Sequence, residues 1–269
     1  MRDRAWSVIR RVVPRRLRDL ALALTTGRSI APLRDYVAIL RLQRHEQLDA
    51  EEKPVRVRLK PLGGLGVDLR PGTADAQVVL TTFYGQYHVP PGDIEPQVIW
   101  DLGSNLGLTV AHFALLFPDA RITGVEAQPE LAELARSNIA TWSDRCSIVE
   151  GAVWSVDGEI DFVGDHGHED GARVATSSEQ SDFRHRVRAY ALSTLLAAEE
   201  TVDFLKVDIE GGEQILFTEN TAWATRVRCL KVEIHEPYTL EECERDLQAL
   251  GFMTESAPTP FGACVVARR

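Results

Sequence analysis

The chain has 269 residues, of which 44% are hydrophobic and 26% are charged, with 13 Pro and 19 Gly. This balance is typical of a globular protein with a buried core and excludes a disordered chain. The length fits one domain with an appendage rather than several domains. No stretch approaches the roughly 18 consecutive apolar residues that cross a bilayer. Arginines interrupt the first 27 residues, so no signal peptide is predicted, and we expect a cytoplasmic protein.

Charge and cysteine usage each exclude a class of function. Residues 1–60 contain 15 Lys and Arg against 7 Asp and Glu, a net charge of +8, whereas the remaining residues carry 15 against 33, a net charge of −18. Since Lys and Arg neutralise phosphates, the acidic body argues against a nucleic-acid partner. The four cysteines lie far apart in the sequence. Neither a disulfide framework nor a zinc site is therefore predicted.

The first 54 residues form a basic segment of helical pattern. Apolar residues between Trp6 and Leu24 recur at steps of three and four, with arginines between them, which predicts an amphipathic helix. Such a helix packs on its own domain, packs on a second subunit of a homodimer, or lies on the anionic inner face of a membrane; we favour packing. Residues 51–54 are interpreted as a linker. The predicted division is an N-terminal helical appendage over 1–54 and a main domain over 55–269.

The main domain begins with a predicted hairpin over 55–69 and a short helix over 74–87. Strands are then predicted at 98–100, 121–127, 146–154, 204–209 and 230–234, with helices at 106–117, at 131–140 and from about 212 and 240. Residues 159–163 are predicted as one arm of a hairpin, and residue 252 with 263–267 as a terminal hairpin. Strands that alternate with helices predict βαβ crossovers and a mainly parallel sheet, with ligands at the carboxyl ends of its strands.

A glycine turn follows the first of these strands. Gly103 allows a tight turn and a close approach of a ligand to the backbone, and Gly107 allows the next helix to pack close to the sheet. Glu126 comes 23 residues after Gly103, at the end of the second strand, where a carboxylate accepts hydrogen bonds from a ribose. Asp101 is a second acid at the turn. It would repel a pyrophosphate and attract a cation, which favours S-adenosylmethionine over NAD.

Four segments resemble the successive motifs of the FkbM family of class I S-adenosylmethionine-dependent methyltransferases. They are residues 100–107 (WDLGSNLG), 124–129 (GVEAQP), 151–154 (GAVW) and 205–213 (LKVDIEGGE). The resemblance covers about residues 80–269. It implies an α/β, Rossmann-like fold whose mostly parallel, seven-stranded sheet has an antiparallel last strand.

The same resemblance implies a cofactor site. Asp101, Gly103, Asn105 and Gly107 would border the methionine end of the cofactor, and Glu126 would hold its ribose. Ala152 and Val153 would lie near the adenine. The predicted cofactor-binding set also includes Ser104, Ala127 and Asp208.

Two predicted strands carry charges on one face. Lys206, Asp208 and Glu210 alternate with apolar residues, as do Lys231, Glu233 and His235. Buried strands of a parallel sheet are usually apolar, so these charges either pair with one another or serve an active site. For Lys206 and Lys231 we favour pairing. For the strand-end residues Asp208, Glu210, Glu233 and His235 we favour catalysis.

In the predicted mechanism, His235 removes the proton of an acceptor hydroxyl, because its ordinary pKa of about 6.5 suits a general base. Glu233 or Glu210 would orient the imidazole or bind the acceptor. Alternatively, Asp208, Glu210 and Glu233 would bind Mg²⁺ through oxygen ligands.

Acceptor-binding residues are predicted in two places. The glycine-rich stretch 164–176 is either a solvated hairpin loop or a lid whose His166 and His168 reach the substrate. Tyr87, with Tyr84 and His88, would line the same pocket and stack on a sugar ring.

The function predicted from the family resemblance is O-methylation of a hydroxyl on a sugar, glycolipid or secondary metabolite. Two alternatives stay open. One is a non-catalytic scaffold or partner-binding protein that keeps the cofactor fold. The other is an NAD-linked oxidoreductase, which the missing GxGxxG motif disfavours.

Overall fold

A computed structural model describes residues 29–44, 53–165, 168–174, 183–259 and 262–269. The strands in these ranges are β1 (Val55–Leu59), β2 (Leu65–Leu69), β3 (Val98–Leu102), β4 (Arg121–Glu126), β5 (Cys146–Glu150), β6 (Ala152–Trp154), β7 (Gly158–Asp165), β8 (His168–Val174), β9 (Phe183–Ala191), β10 (Val202–Val207), β11 (Val227–Glu233), β12 (Met253–Thr259) and β13 (Gly262–Arg268). The α-helices are α1 (Leu33–Arg44), α2 (Asp75–Gly85), α3 (Leu108–Leu116), α4 (Pro129–Asn138), α5 (Leu192–Leu195), α6 (Glu213–Thr218) and α7 (Leu240–Ala249). Short 3₁₀ turns cover Lys60–Leu62, Ala140–Trp142 and Thr221–Arg226.

The main sheet has seven strands in the order β12-β13-β11-β10-β3-β4-β5. β13 pairs antiparallel with both of its neighbours, whereas β11, β10, β3, β4 and β5 pair parallel. The predicted seven-stranded sheet with an antiparallel last strand is therefore confirmed. Its central strands are buried on both faces, and this explains their apolar runs.

Helices cover both faces of this sheet. Side chains of α3 and α4, including Phe113 and Leu131, share a core with Ile99 and Phe204 of the sheet. On the other face, Leu216 of α6 and Leu247 of α7 pack with Leu205 and other strand residues. The carboxyl ends of β3, β4, β10 and β11 consequently lie together at one edge of a rigid scaffold.

The described part of the N-terminal segment packs onto the main domain. Tyr36 and Ile39 of α1 are buried in the same core as Val57 of β1, and Arg58 contacts Asp35 at 2.8 Å. β1 and β2 form the predicted antiparallel hairpin. Residues 1–28 lie outside the described ranges. The division at residue 54, a second subunit and a membrane contact stay predictions; no described helix is long and apolar enough to cross a bilayer.

A second sheet, in the order β6-β9-β7-β8, corrects one prediction. Residues 146–154 do not form one strand, because Gly151 has a φ of 148° and separates β5 from β6. β5 ends the main sheet, whereas β6 pairs with β9. A Cβ at position 151 would lie 2.5 Å from the ring of Tyr190, so glycine is needed at this crossing. β7 and β8 form the antiparallel hairpin that was predicted in this region.

Candidate functional site

A cavity of about 260 Å³ lies at the carboxyl ends of β3, β4, β10 and β11; we refer to it as the strand-end cavity. One wall is the glycine turn and α3, and a second consists of residues 125–128 with Leu131. Residues 151–153 form the third wall. The last two walls are the charged strand ends and a segment from α2 to Tyr87. A cavity therefore lies at the strand ends, where the ligand site was predicted.

The glycine turn is held by backbone contacts. The N–H groups of Gly103 and Ser104 both donate to the carbonyl of Val125 at 3.0 Å. Gly103 has a φ of 79°, and a Cβ there would lie 1.7 Å from the carbonyl oxygen of Asp208. The group that lies close to Gly103 is thus the backbone of a neighbouring loop. Ser104 and Asn105 follow in the wall of the cavity.

Glu126 is the buried carboxylate of this wall. It accepts hydrogen bonds from the backbone N–H of Asn105 at 2.8 Å and of Gln128 at 2.9 Å. Burial raises its pKa to about 7, although both N–H donors act against this shift. Each carboxylate oxygen keeps a second lone pair. Glu126 can therefore accept hydrogen bonds from hydroxyls of a ligand in the cavity.

Asp101 and Gly107 differ from their predicted roles. Asp101 is fully buried, contacts Lys206 at 3.1 Å and accepts a hydrogen bond from Thr109. Because this charge is already paired and does not line the cavity, it provides no free attraction for a cation. Gly107 also lies outside the lining. Its Cβ would meet Ala135 at 3.0 Å, so Gly107 allows α3 to pack against α4 rather than against the sheet.

An apolar wall faces Glu126 from the start of β6. Ala152 and Val153 are buried and line the cavity together with Ala127. None of these side chains offers a polar group, so this wall suits the face of a flat aromatic ring such as a purine. The adenine position that the resemblance implies at Ala152 and Val153 stays a prediction.

Asp208 forms the centre of the charged end of the cavity. Lys206 contacts it at 3.1 Å, and the hydroxyl of Tyr87 donates to it at 3.0 Å. Burial works to raise the pKa of Asp208, but Lys206 and His235 outweigh it and hold the pKa below its ordinary value. Asp208 therefore stays ionised. Tyr87 is placed in the cavity as predicted, with its hydroxyl engaged by a carboxylate.

His235 contacts three carboxylates. Its Nδ1 lies 2.8 Å from Glu213, and its Nε2 lies 3.4 Å from Glu210 and 3.7 Å from Asp208. Burial acts to lower its pKa, but the hydrogen bond to Glu213 and the charge of Glu210 outweigh it and raise the pKa to about 9. His235 is consequently protonated at neutral pH. This corrects the premise that an ordinary pKa suits it to act as the base.

Glu213 is the site residue that the sequence reasoning missed. It is fully buried, and it accepts hydrogen bonds from the backbone N–H of Ile209 at 3.2 Å and of Gly211 at 3.0 Å. Glu213, rather than Glu233 or Glu210, orients the imidazole through Nδ1. The available signal was a carboxylate in the last position of the motif at residues 205–213.

Glu210 and Glu233, like Glu126, are weakly acidic groups of the cavity wall. Burial raises the pKa of Glu210 to about 8 and that of Glu233 to about 7, and the neighbouring charge of Asp208 adds to both shifts. Glu210 adopts a left-handed conformation with a φ of 54°. A carboxylate whose pKa is close to the working pH is well matched to accept a proton.

A metal site with the predicted ligands is not formed. Among the described residues, ligand atoms of Asp208, Glu210 and His235 lie within 4.8 Å of one another, and Glu233 is absent from the group. His235 takes the place of Glu233 in this group, so one of its three ligand atoms is an imidazole nitrogen. Mg²⁺ prefers oxygen ligands. The residues do not fit Mg²⁺, so no step is assigned to it.

Of the other residues predicted to contact the acceptor, His88 lies apart from the cavity. His88 is fully buried, does not line the cavity, and its Nε2 lies 2.7 Å from Nδ1 of His112. Tyr84 is part of α2 and His168 begins β8. His166 lies outside the described residues, so its role stays a prediction.

The buried pair of His88 and His112 makes the fold sensitive to acid. Burial lowers the pKa of both rings, that of His112 to about 4. Since the unfolded chain binds protons at about pH 6.5 and the folded chain does not, stability is lost as pH falls from about 6.5 to 4. We expect His112→Asn to remove about 1.4 kcal/mol per pH unit of this loss. Urea unfolding at several pH values gives the free energy of unfolding of each protein as a function of pH. The same dependence on pH in the wild type and in His112→Asn would contradict the prediction.

The fold and the site together define a class I methyltransferase. The main sheet is parallel except for β13, the last strand in the chain, a glycine turn follows β3, and a carboxylate lies at the end of β4. The family profile described as the Methyltransferase FkbM domain matches residues 101–256, more than half of the chain. The chain therefore belongs to the FkbM family of S-adenosylmethionine-dependent methyltransferases.

Comparison with individual proteins shows more distant similarities. The chain is 42% identical over 66 residues to a tRNA1(Val) (adenine(37)-N6)-methyltransferase of Porphyromonas gingivalis, a match that covers 24% of this chain and 26% of that protein. The chain thus matches about a quarter of the length of these curated relatives.

Two solved structures are similar in fold. The precorrin-6y C5,15-methyltransferase of Geobacter metallireducens has a TM-score of 0.43 and 15% identity, with 71% of this chain and 88% of that chain covered. The fibrillarin of Aeropyrum pernix, solved with natively bound S-adenosyl-L-methionine, has a TM-score of 0.44 and 15% identity, with 70% and 73% covered.

Proposed function

We propose that this protein transfers a methyl group from S-adenosylmethionine to a hydroxyl oxygen of a sugar, glycolipid or secondary metabolite. The observation that carries the proposal is that Glu126 and the carboxylates Asp208, Glu210 and Glu233 line one cavity. This supports a donor site that lies next to a site for deprotonating an acceptor. The hydroxyl class of the acceptor rests on the family resemblance.

The residues of the cavity fit the donor. Glu126 would accept hydrogen bonds from the ribose, Ala152 and Val153 would contact the adenine, and the turn at Gly103–Asn105 would border the methionine. When bound, S-adenosylmethionine supplies an electrophilic methyl group, whose bond to sulfur breaks as the acceptor oxygen bonds to the carbon. The protein's own contribution is to align the acceptor oxygen and to receive its proton.

We assign the proton acceptor to Glu233. It lines the cavity, and its pKa of about 7 leaves it partly ionised at neutral pH. The hydroxyl proton moves to a carboxylate oxygen of Glu233 as the acceptor oxygen becomes a nucleophile. His235, held by Glu213, supplies a positive charge that keeps Asp208 ionised. Tyr87 and Lys206 fix the position of Asp208 through contacts at 3.0 and 3.1 Å.

The donor site is tested by the affinity for S-adenosylhomocysteine. We expect Glu126→Gln to weaken binding about 10- to 100-fold, since a hydrogen bond to a charged group contributes about 1.5–3 kcal/mol. In the wild type, affinity should fall as pH decreases below about 7, because protonation of Glu126 removes an acceptor. The variant should lack this dependence. Isothermal titration at several pH values measures both effects.

Glu150 provides the matched control. It lies opposite Glu126 at the end of the neighbouring strand β5, but it is exposed and outside the cavity. Glu150→Gln should bind S-adenosylhomocysteine like the wild type. Equal affinities for the wild type and Glu126→Gln would refute the ribose role, and tight NADH binding without S-adenosylhomocysteine binding would favour the oxidoreductase alternative.

A further inference from the structure

The charged groups around the strand-end cavity are strongly unbalanced. Among the described residues that line it, four carry a carboxyl group, and Lys206 alone carries a cationic side chain. Lys206 is 2% exposed and contacts Asp101 and Asp208, each at 3.1 Å. Its charge is therefore committed within the protein. No described cation in the lining is left to neutralise an anionic acceptor.

Glu210 shares its nearest cation with two other carboxylates. Asp208 has Lys206 and Tyr87 as close partners, and Glu126 has two backbone donors. Glu210, by contrast, faces the Nε2 of His235 at 3.4 Å, and that ring is shared with Asp208 and Glu213. About a third of the Glu210 side chain is exposed, so a ligand can reach it.

Repulsion from neighbouring carboxylates contributes to the raised pKa of Glu210. Burial raises the pKa of Glu210 to about 8; the charge of His235 acts against this shift, and the charges of Asp208, Glu233 and Glu213 add to it. A cation beside Glu210 would relieve this repulsion and return the carboxyl group to its charged form. A phosphate or a carboxylate in the same position would increase the repulsion.

Resting on the proposed function, we infer that the acceptor carries a protonated amino group near the hydroxyl that is methylated, and that Glu210 binds this group. The acceptor class is an amino alcohol or an amino sugar. Acceptors with a phosphate near the reacting hydroxyl are excluded by the same charges. Glu210 acts as the specificity-determining residue, while Glu233 receives the proton.

Three small polyhydroxy compounds of similar size test the inference. The probes are 2-amino-1,3-propanediol, glycerol and glycerol 3-phosphate, which are cationic, neutral and anionic at pH 7. Each is titrated into the full chain saturated with S-adenosylhomocysteine, and binding is followed by saturation-transfer NMR. We expect the amino diol to bind at least about tenfold more tightly than glycerol, because it gains a charge pair with Glu210 that glycerol cannot form. Glycerol 3-phosphate should bind most weakly.

Two variants test which residue binds the amino group. Glu210→Gln should reduce the preference for the amino diol to about twofold or less while glycerol binding is retained. Glu219→Gln, a change at an exposed acid outside the cavity, should keep the full preference. Retained affinity for S-adenosylhomocysteine shows that each variant is folded.

The outcomes separate this inference from the proposed function. Equal binding of the amino diol and glycerol, binding of none of the three probes, or tighter binding of glycerol 3-phosphate would each overturn the amine assignment while S-adenosylhomocysteine still binds. Failure of S-adenosylhomocysteine to bind would instead overturn the proposed function itself. An unchanged preference in Glu210→Gln would exclude Glu210 as the binding residue.

Discussion

Replacing Glu233 by Gln is expected to lower the rate of methyl transfer by a factor of about 10² to 10⁴, the contribution of a positioned general base. The amide cannot accept the proton of the hydroxyl, whereas its size and position are nearly those of the carboxylate. Affinity for S-adenosylhomocysteine should be preserved. The rate is measured as S-adenosylhomocysteine formed with an acceptor that a mass-spectrometric screen identifies by the gain of one methyl group.

The control for this variant is Glu255→Gln. Glu255 lies on the edge strand β12 of the same sheet, is exposed and does not line the cavity. This variant should react at the wild-type rate. Undiminished turnover in Glu233→Gln would remove Glu233 from the mechanism.

The pH dependence of the same reaction distinguishes Glu233 from His235. The rate is measured at saturating S-adenosylmethionine, so that the pH dependence of donor binding through Glu126 does not contribute. A base must be deprotonated, so kcat/KM for the acceptor should rise as pH increases through about 7 if Glu233 receives the proton. If His235 were the base, the rise would instead occur near pH 9. Loss of the transition near pH 7 in Glu233→Gln would support the assignment, and its retention would contradict it.

Gly103→Ala is the other change with a large expected effect. The left-handed conformation of Gly103 disfavours alanine by about 1–2 kcal/mol, and the new Cβ would collide with the carbonyl oxygen of Asp208. Because that atom belongs to the backbone, the loop must move, which adds about 1–3 kcal/mol. We expect a lower urea midpoint and a weaker affinity for S-adenosylhomocysteine.

Gly64→Ala provides the comparison for this prediction. Gly64 has a φ of 86°, also left-handed, but a Cβ there meets no atom within 4 Å. Its loss of stability should therefore be limited to the conformational effect of about 1–2 kcal/mol. Equal losses for the two variants would show that the contact with Asp208 does not constrain the turn.

The sequence was sufficient for the parallel core of the fold. Apolar strand runs, glycine turns and helical spacing predicted the strand that ends at Leu102 and the helix that follows Gly107 within two residues. β9 was missed because its sequence, FRHRVRAYA, is rich in charge. Its alternate residues Val187 and Ala189 are buried, but the pattern alone did not outweigh the arginines.

The candidate site was predictable in position but not in electrostatics. Strand-end acids are visible in the sequence, so Glu126 and Asp208 were found. The pairing of Lys206 with Asp101 depends on the register of β10 against β3, in which these two residues are direct neighbours. The role of His235 depends on Glu213, which lies 22 residues away in the chain and contacts the imidazole only in the folded protein. Such pKa shifts arise from burial and distance, which spacing in the chain does not encode.

The wall formed by α2 and Tyr87 lies before residue 101, where the match to the family profile begins. Val78, Thr81 and Thr82 therefore contact the cavity from outside the portion that defines the family. These three side chains and the motifs at residues 100–107 and 124–129 therefore belong to separate parts of the chain. We expect substitutions in the preceding segment to alter the shape of this wall while the glycine turn and Glu126 are retained.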